Sequence, residues 1–140
     1  MDNYDKAYNA YSEARKGINV KKNEAIVLKC KTSWCFEFAK YIPGADIKAH
    51  EKVILNMKNC DYCYAFARDI PGADIKAHEQ AILELKIPGY SFWFAKNIPR
   101  ANIEEHFKVI INSGNKAWFD YFIKEVNYKN TKVEEWLLYI

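Results

Sequence analysis

The chain writes one phrase three times. "FAKYIPGADIKAHE" begins at Phe38, "FARDIPGADIKAHE" at Phe66 and "FAKNIPRANIEEHF" at Phe94, a period of 28 residues. A fixed period of this length constrains the fold more than composition does. Each copy must adopt the same local structure, and each must bury its apolar face against the next. Pro43, Pro71 and Pro99 keep the register, as do His50, His78 and His106. Carried forward, it reaches Trp118, Phe122, Lys124, Val126 and Asn130; carried back with one residue deleted, it aligns Gly17, Asn19, Glu24 and Leu28 on Gly44, Asp46, Glu51 and Leu55. The 140 residues thus divide into about five repeats, near 2–28, 33–57, 61–85, 89–113 and 117–140. The diverged end copies suit caps, which must face water on one side. The expectation is a single helical-repeat domain with no linker.

Within a copy, proline is the divider. Trp34, Phe38, Ile42, Cys35 and Ala39 fall on one apolar arc at 100° per residue, and Tyr62, Phe66, Ile70, Cys63 and Ala67 repeat it. The third copy has Tyr90, Phe94, Ile98, Ser91 and Ala95. This predicts a short amphipathic helix that stops at the residue before proline, which is pushed out of helical geometry. Asn19, Asp46, Asp74, Asn102 and Asn130 then stand where a second helix begins, as N-cap acceptors for free backbone N–H groups. Behind that cap, Ile47, His50, Val53, Ile54 and Met57 share a face. Gly44 and Gly72 suit the tight connection, but the third copy has Arg100. Either positive φ is not required there, or that copy carries a cost of about 1 kcal/mol. Helices of about three turns do not persist alone in water. The fold expected is therefore all-α, a right-handed α-solenoid of short helix–turn–helix repeats.

The pattern YxFAxxIPGADIKxHExxI resembles a family of tandem helical repeats of bacterial and phage genomes. In that family the cap region often reads Gly-Ala-Asp-Ile and the histidine position often carries leucine. The resemblance covers residues 33–113 closely and the ends loosely. It implies an α-helical repeat fold and little about activity.

Half of the residues are hydrophobic and 16% aromatic, enough for a core, and five glycines with four prolines argue against a loop-rich chain. A net charge of +3 neither announces nor excludes a nucleic-acid binder. Neither a leader peptide nor an apolar run of membrane length is apparent. A soluble cytoplasmic protein is expected. The abundance of Lys, Asn and Ile fits an AT-rich coding genome and points to a bacterium or its phage.

Three features invite chemistry. Equivalent histidines on stacked helices about 8–10 Å apart do not converge on one metal, whose ligands lie within about 2.1 Å. They are read as partly buried structural histidines. Cys30, Cys35, Cys60 and Cys63 spell C-x4-C and C-x2-C, a spacing that zinc sites use. Against zinc, Cys35 and Cys63 are repeat-equivalent core positions whose third copy is Ser91. Glu51 and Glu79, which follow the histidines, are placed towards solvent by their wheel angle. No phosphate loop, nucleophile elbow or carboxylate pair appears, so neither catalysis, a cofactor nor a small-molecule substrate is expected.

The remaining feature is the side of the first helices opposite the core arc. Phe36, Tyr64 and Phe92 stand there, each followed one turn later by Lys40, Arg68 and Lys96, with Trp93 beside the third. Two readings stand: these aromatics pack against neighbouring helices, or they form an exposed aromatic–cationic ladder that binds a partner. The ladder supports a non-enzymatic module that captures another protein, one version being a phage-encoded inhibitor of a bacterial defence effector such as a CRISPR nuclease. The alternatives are nucleic-acid binding through the same residues and a structural array with no single partner. Asp120 breaks the pattern in the last copy and should end the surface.

Overall fold

The computed structural model describes residues 1–126. Among these residues there are nine helices and no strand. They are α1 (Asn3–Arg15), α2 (Val20–Cys30), α3 (Trp34–Tyr41), α4 (Ile47–Met57), α5 (Cys60–Asp69), α6 (Ile75–Leu85), α7 (Pro88–Asn97), α8 (Ile103–Ser113) and α9 (Lys116–Val126). Two helices fall in each of the first four repeats and one, α9, in the described part of the last, and Asn130 lies outside the described residues. The chain divides into two compact units, Met1–Asp74 and one that begins at Ile75. In the first unit each helix packs on the next and the next but one, pairing α1 with α3, α2 with α4 and α3 with α5. The second unit repeats this, with α6 against α8 and α7 against α9. Packing between sequence neighbours in this pattern is that of a helical repeat array.

Proline ends the first helix of the three close copies, α3, α5 and α7, as its sterics require. Ile42, Ile70 and Ile98 have extended backbone, with φ near −98° and ψ of 113–116°, and each donates its N–H to the phenylalanine four residues back. The next turn is decided by the structure alone. Ala45, Ala73 and Ala101 donate to the carbonyls of Ile42, Ile70 and Ile98, closing four-residue turns. Proline occupies the second position, and the third has φ of 75° at Gly44, 82° at Gly72 and 66° at Arg100. This is the type II turn, which demands positive φ at its third position. Arg100 therefore adopts the glycine conformation and carries its cost.

The second helices begin on the expected caps in two copies. Asp46 accepts from the Ala49 N–H at 3.2 Å, and Asn102 from the Glu105 N–H at 3.3 Å. Asn19 departs from expectation. Its backbone is left-handed, with φ of 45°, and its side chain caps nothing. The second helices close on left-handed residues at Lys31, Lys58, Lys86 and Gly114, another feature in register.

The apolar arcs form the core as read. Phe38, Phe66 and Phe94 are wholly buried, as are Cys35, Cys63 and Ser91, and Ile42, Ile70 and Ile98 nearly so. On the second helices His50 and Ile54 are buried, whereas Ile47 and Val53 are half-buried and Met57 is exposed. In the second unit Phe92, Ala95, Phe107, Ile110, Phe119 and Phe122 make one cluster. The terminal copy thus supplies core from α9.

Candidate binding surface

The structure divides the seven ladder residues by burial. Phe36 is 7% exposed and Phe92 4%, so neither faces outward as the exposed reading required. The wheel angle is right, but a helix in an array has neighbours on more than one side. Phe36 lies 6.1 Å from Tyr62 and 6.3 Å from Phe66, between ring centroids, in the next hairpin. Phe92 meets Trp118 at 5.6 Å and Tyr121 at 6.4 Å. Tyr64 is half-buried, while Trp93, Lys40, Arg68 and Lys96 are exposed.

The cations cover these rings in register. Lys40 Nζ lies 5.6 Å from the Phe36 centroid, Arg68 Cζ 5.1 Å from Tyr64 and Lys96 Nζ 5.8 Å from Phe92. One helical turn separates each pair, which brings side chains at i and i+4 together. A cation within about 6 Å of a ring face is held by the ring's quadrupole. These cations are thus positioned groups rather than loose surface charges.

In the first unit the pairs join into a strip. Arg68 forks onto Asp69 at 2.7 and 2.9 Å, and Asp69 also takes Lys40 at 3.5 Å. The Arg68 hydrogen bond holds the Asp69 carboxyl below the usual carboxylate range. Lys40 lies 5.2 Å from the Tyr41 ring, and Arg15 of α1 lies 4.5 Å over that ring. Sequence reading missed Arg15, Tyr41 and Asp69. Tyr41 and Asp69 share one repeat position next to the predicted cations, which could have drawn attention to them. Arg15 comes from a diverged copy where the register carries no such pattern. The strip has three cations and one carboxylate, with exposed tyrosine between them. In the second unit Trp93 and Tyr121 are exposed and Lys96 pairs with Glu125 at 3.6 Å. Asp120 holds Lys116 at 3.5 Å instead of extending the ladder.

The histidines form a different construction, and Glu51 and Glu79 correct the reading of them. These carboxylates are 6% and 8% exposed, not solvated. Glu79 Oε2 accepts the Asn102 N–H at 2.7 Å and lies 2.9 Å from His106 Nε2. Glu24 does the same with the Asp46 N–H, at 2.8 Å, and His50, at 2.9 Å. Glu51 accepts the Asp74 N–H at 2.7 Å. Each glutamate therefore ties its helix to the cap of the next hairpin. The single-helix wheel points Glu51 outward because it cannot show that the next cap arrives there.

The tautomer follows from the surroundings. His50 and His106 stack on Phe38 and Phe94, with centroids 4.9 and 5.2 Å apart, and their Nδ1 atoms have no hydrogen-bond partner. A proton on Nδ1 would be a buried orphan donor, so the ring is neutral with its proton on Nε2, donated to glutamate. Burial holds both imidazoles below their ordinary pKa, against the opposing pull of Glu79 and Glu24. The histidines, expected to be partly buried, are wholly so.

All four cysteines are free thiols. Among the described residues no group of His, Cys, Asp or Glu is placed to hold a metal ion. Burial pushes Cys35 up to about 12 and Cys63 up to about 11, which makes both poor nucleophiles. Among the same residues no helix is long and apolar enough to cross a membrane. The fold is that of an all-α helical-repeat protein. Neither a family model, a curated protein nor a solved structure matches this chain.

Proposed function

We propose that this chain is a non-enzymatic helical-repeat module that captures another protein through its aromatic–cationic edge. The observation that carries the reading is the strip Arg15–Tyr41–Lys40–Asp69–Arg68–Tyr64, in which exposed cations are held on ring faces before any partner arrives. Preorganised side chains lose less freedom on binding, and Tyr and Arg dominate protein hot spots. Lys40, Tyr64, Arg68, Trp93 and Lys96 are the contact residues, and Phe36 and Phe92 support them from beneath. The composition makes a bacterial host protein, including a defence nuclease, the first partner class to screen.

The test uses immobilised wild-type protein and the variant Lys40→Glu with Arg68→Glu on nuclease-treated bacterial lysate. Mass spectrometry should find a protein retained by the wild type and lost from the variant, while circular dichroism shows equal melting. Equal retention by both would place the contact elsewhere. Capture seen only from untreated lysate, absent after nuclease treatment and falling steeply with salt, would replace the proposal with nucleic-acid binding.

A further inference from the structure

The second helices of the first unit carry charge that the edge strip does not use. Lys21, Lys22, Lys29 and Lys31 lie on α2 and its C-cap, and Lys48, Lys52 and Lys58 on α4 and its C-cap. All seven are exposed, and none makes an ion pair within the described residues. The only carboxylates on these two helices are Glu24 and Glu51, both buried on the cap contacts described above. Asp46, at the N-cap of α4, is the acid at their margin, and its Oδ1 is taken by Ala49. Burying the acids for structural reasons therefore leaves these exposed lysines without a carboxylate partner on their own helices. The second unit lacks this: α6 and α8 carry Glu84, Glu104 and Glu105 among their lysines, all outside the core.

Between α2 and α4 lies a groove of about 510 Å³, and two of the seven lysines, Lys31 and Lys52, stand on it. Leu28, Ala49, Val53 and Met57 line it, with Lys31, Lys52 and the Asn56 amide. The α4 residues, at 49, 52, 53, 56 and 57, are a helical stripe about 12 Å long at 1.5 Å per residue. The apolar part of the lining is aliphatic, and the groove has neither an aromatic ring nor an arginine on which a base could stack. A phosphate chain would satisfy the lysines and leave Leu28, Val53 and Met57 in water. An amphipathic helix with acidic flanks satisfies both, by the helix-in-groove mode with a flexible methionine in the seat.

We propose that the α2–α4 groove is a docking site for an acidic amphipathic helix of a partner protein, with aliphatic side chains on Leu28, Val53 and Met57 and carboxylates on Lys31 and Lys52. The site shares no residue with the α3–α5 edge and stands or falls independently of it.

The probe is a fluorescent peptide of about 15 residues with leucine at i, i+3, i+4 and i+7 and glutamate between. It is compared at about 0.15 M ionic strength with a scrambled peptide of equal composition and with a mixed-sequence single-stranded DNA. The amphipathic peptide should bind at least about tenfold tighter than either control. Lys31→Gln with Lys52→Gln should weaken it about tenfold, whereas Lys21→Gln with Lys22→Gln, the same loss of charge outside the groove, should change it by about twofold or less. Val53→Ser should weaken the amphipathic peptide and leave weak binding of the scrambled one unchanged. Melting temperatures of all variants establish that each is folded. Absence of peptide binding, equal binding of the scramble, tighter binding of the DNA, or equal effects of the two lysine pairs would each overturn the proposal.

Discussion

Removing the carboxylate of Glu79 should be among the costliest single changes in the second unit. One oxygen, Oε2, accepts from the Asn102 N–H at 2.7 Å and from His106 Nε2 at 2.9 Å. In Glu79→Ala both donors lose their acceptor. A buried unsatisfied donor costs about 1–3 kcal/mol, so two set a range of about 2–6 kcal/mol. The Glu79 side chain is 11% exposed, so water reaches part of the vacated site and favours the lower half, about 2–4 kcal/mol. That is a large fraction of the roughly 5–15 kcal/mol of a typical domain. Glu79→Gln keeps one acceptor oxygen but loses the charge, and should cost about 1–2 kcal/mol. His106→Leu removes one donor, so in the double variant with Glu79→Ala the losses should fall short of additivity by about 1 kcal/mol or more. Urea unfolding at neutral pH, followed by circular dichroism, measures the four variants against the wild type. If Glu79→Ala lost less than about 0.5 kcal/mol, or the pair proved additive, the carboxylate would not be the tie between hairpins.

Arg100→Gly should stabilise the protein by about 1 kcal/mol by relieving a side chain held at φ of 66°, and a lower urea midpoint would contradict the type II turn. Because His50 and His106 have folded pKa values below the unfolded reference of about 6.5, the unfolded chain binds more protons on acidification. Stability should therefore be full above that value and fall below it, and His50→Leu should shallow the acid limb; a curve that rises on acidification would mean charged histidines. With Ellman's reagent near pH 8, half-exposed Cys60 should react before Cys35 and Cys63, whose thiols stay protonated until the protein unfolds. Prompt reaction of all four would show that the core opens.

The repeat and its punctuation made the helices legible. Proline at 43, 71 and 99 stops a helix through sterics with its own neighbour, and Asp46 or Asn102 starts one through a bond three residues away. Such interactions are local, so the sequence alone carries them. The arc of Phe38, Phe66 and Phe94 was equally plain, because periodicity reports which face of one helix is apolar. What an isolated helix cannot report is who stands beside it. Phe36 and Phe92 lie opposite the arc yet are buried, because the next hairpin packs on that side as well. Glu51 and Glu79 point away from their own helix's core yet are buried, because the following cap brings its backbone N–H to them. Arg100 could be read either way until the turn showed a positive φ there. The helices were decided by contacts within a few residues of sequence. The partners of Phe36, Glu79 and His106 lie in a neighbouring hairpin, roughly a full repeat away, and only the packed helices determine them.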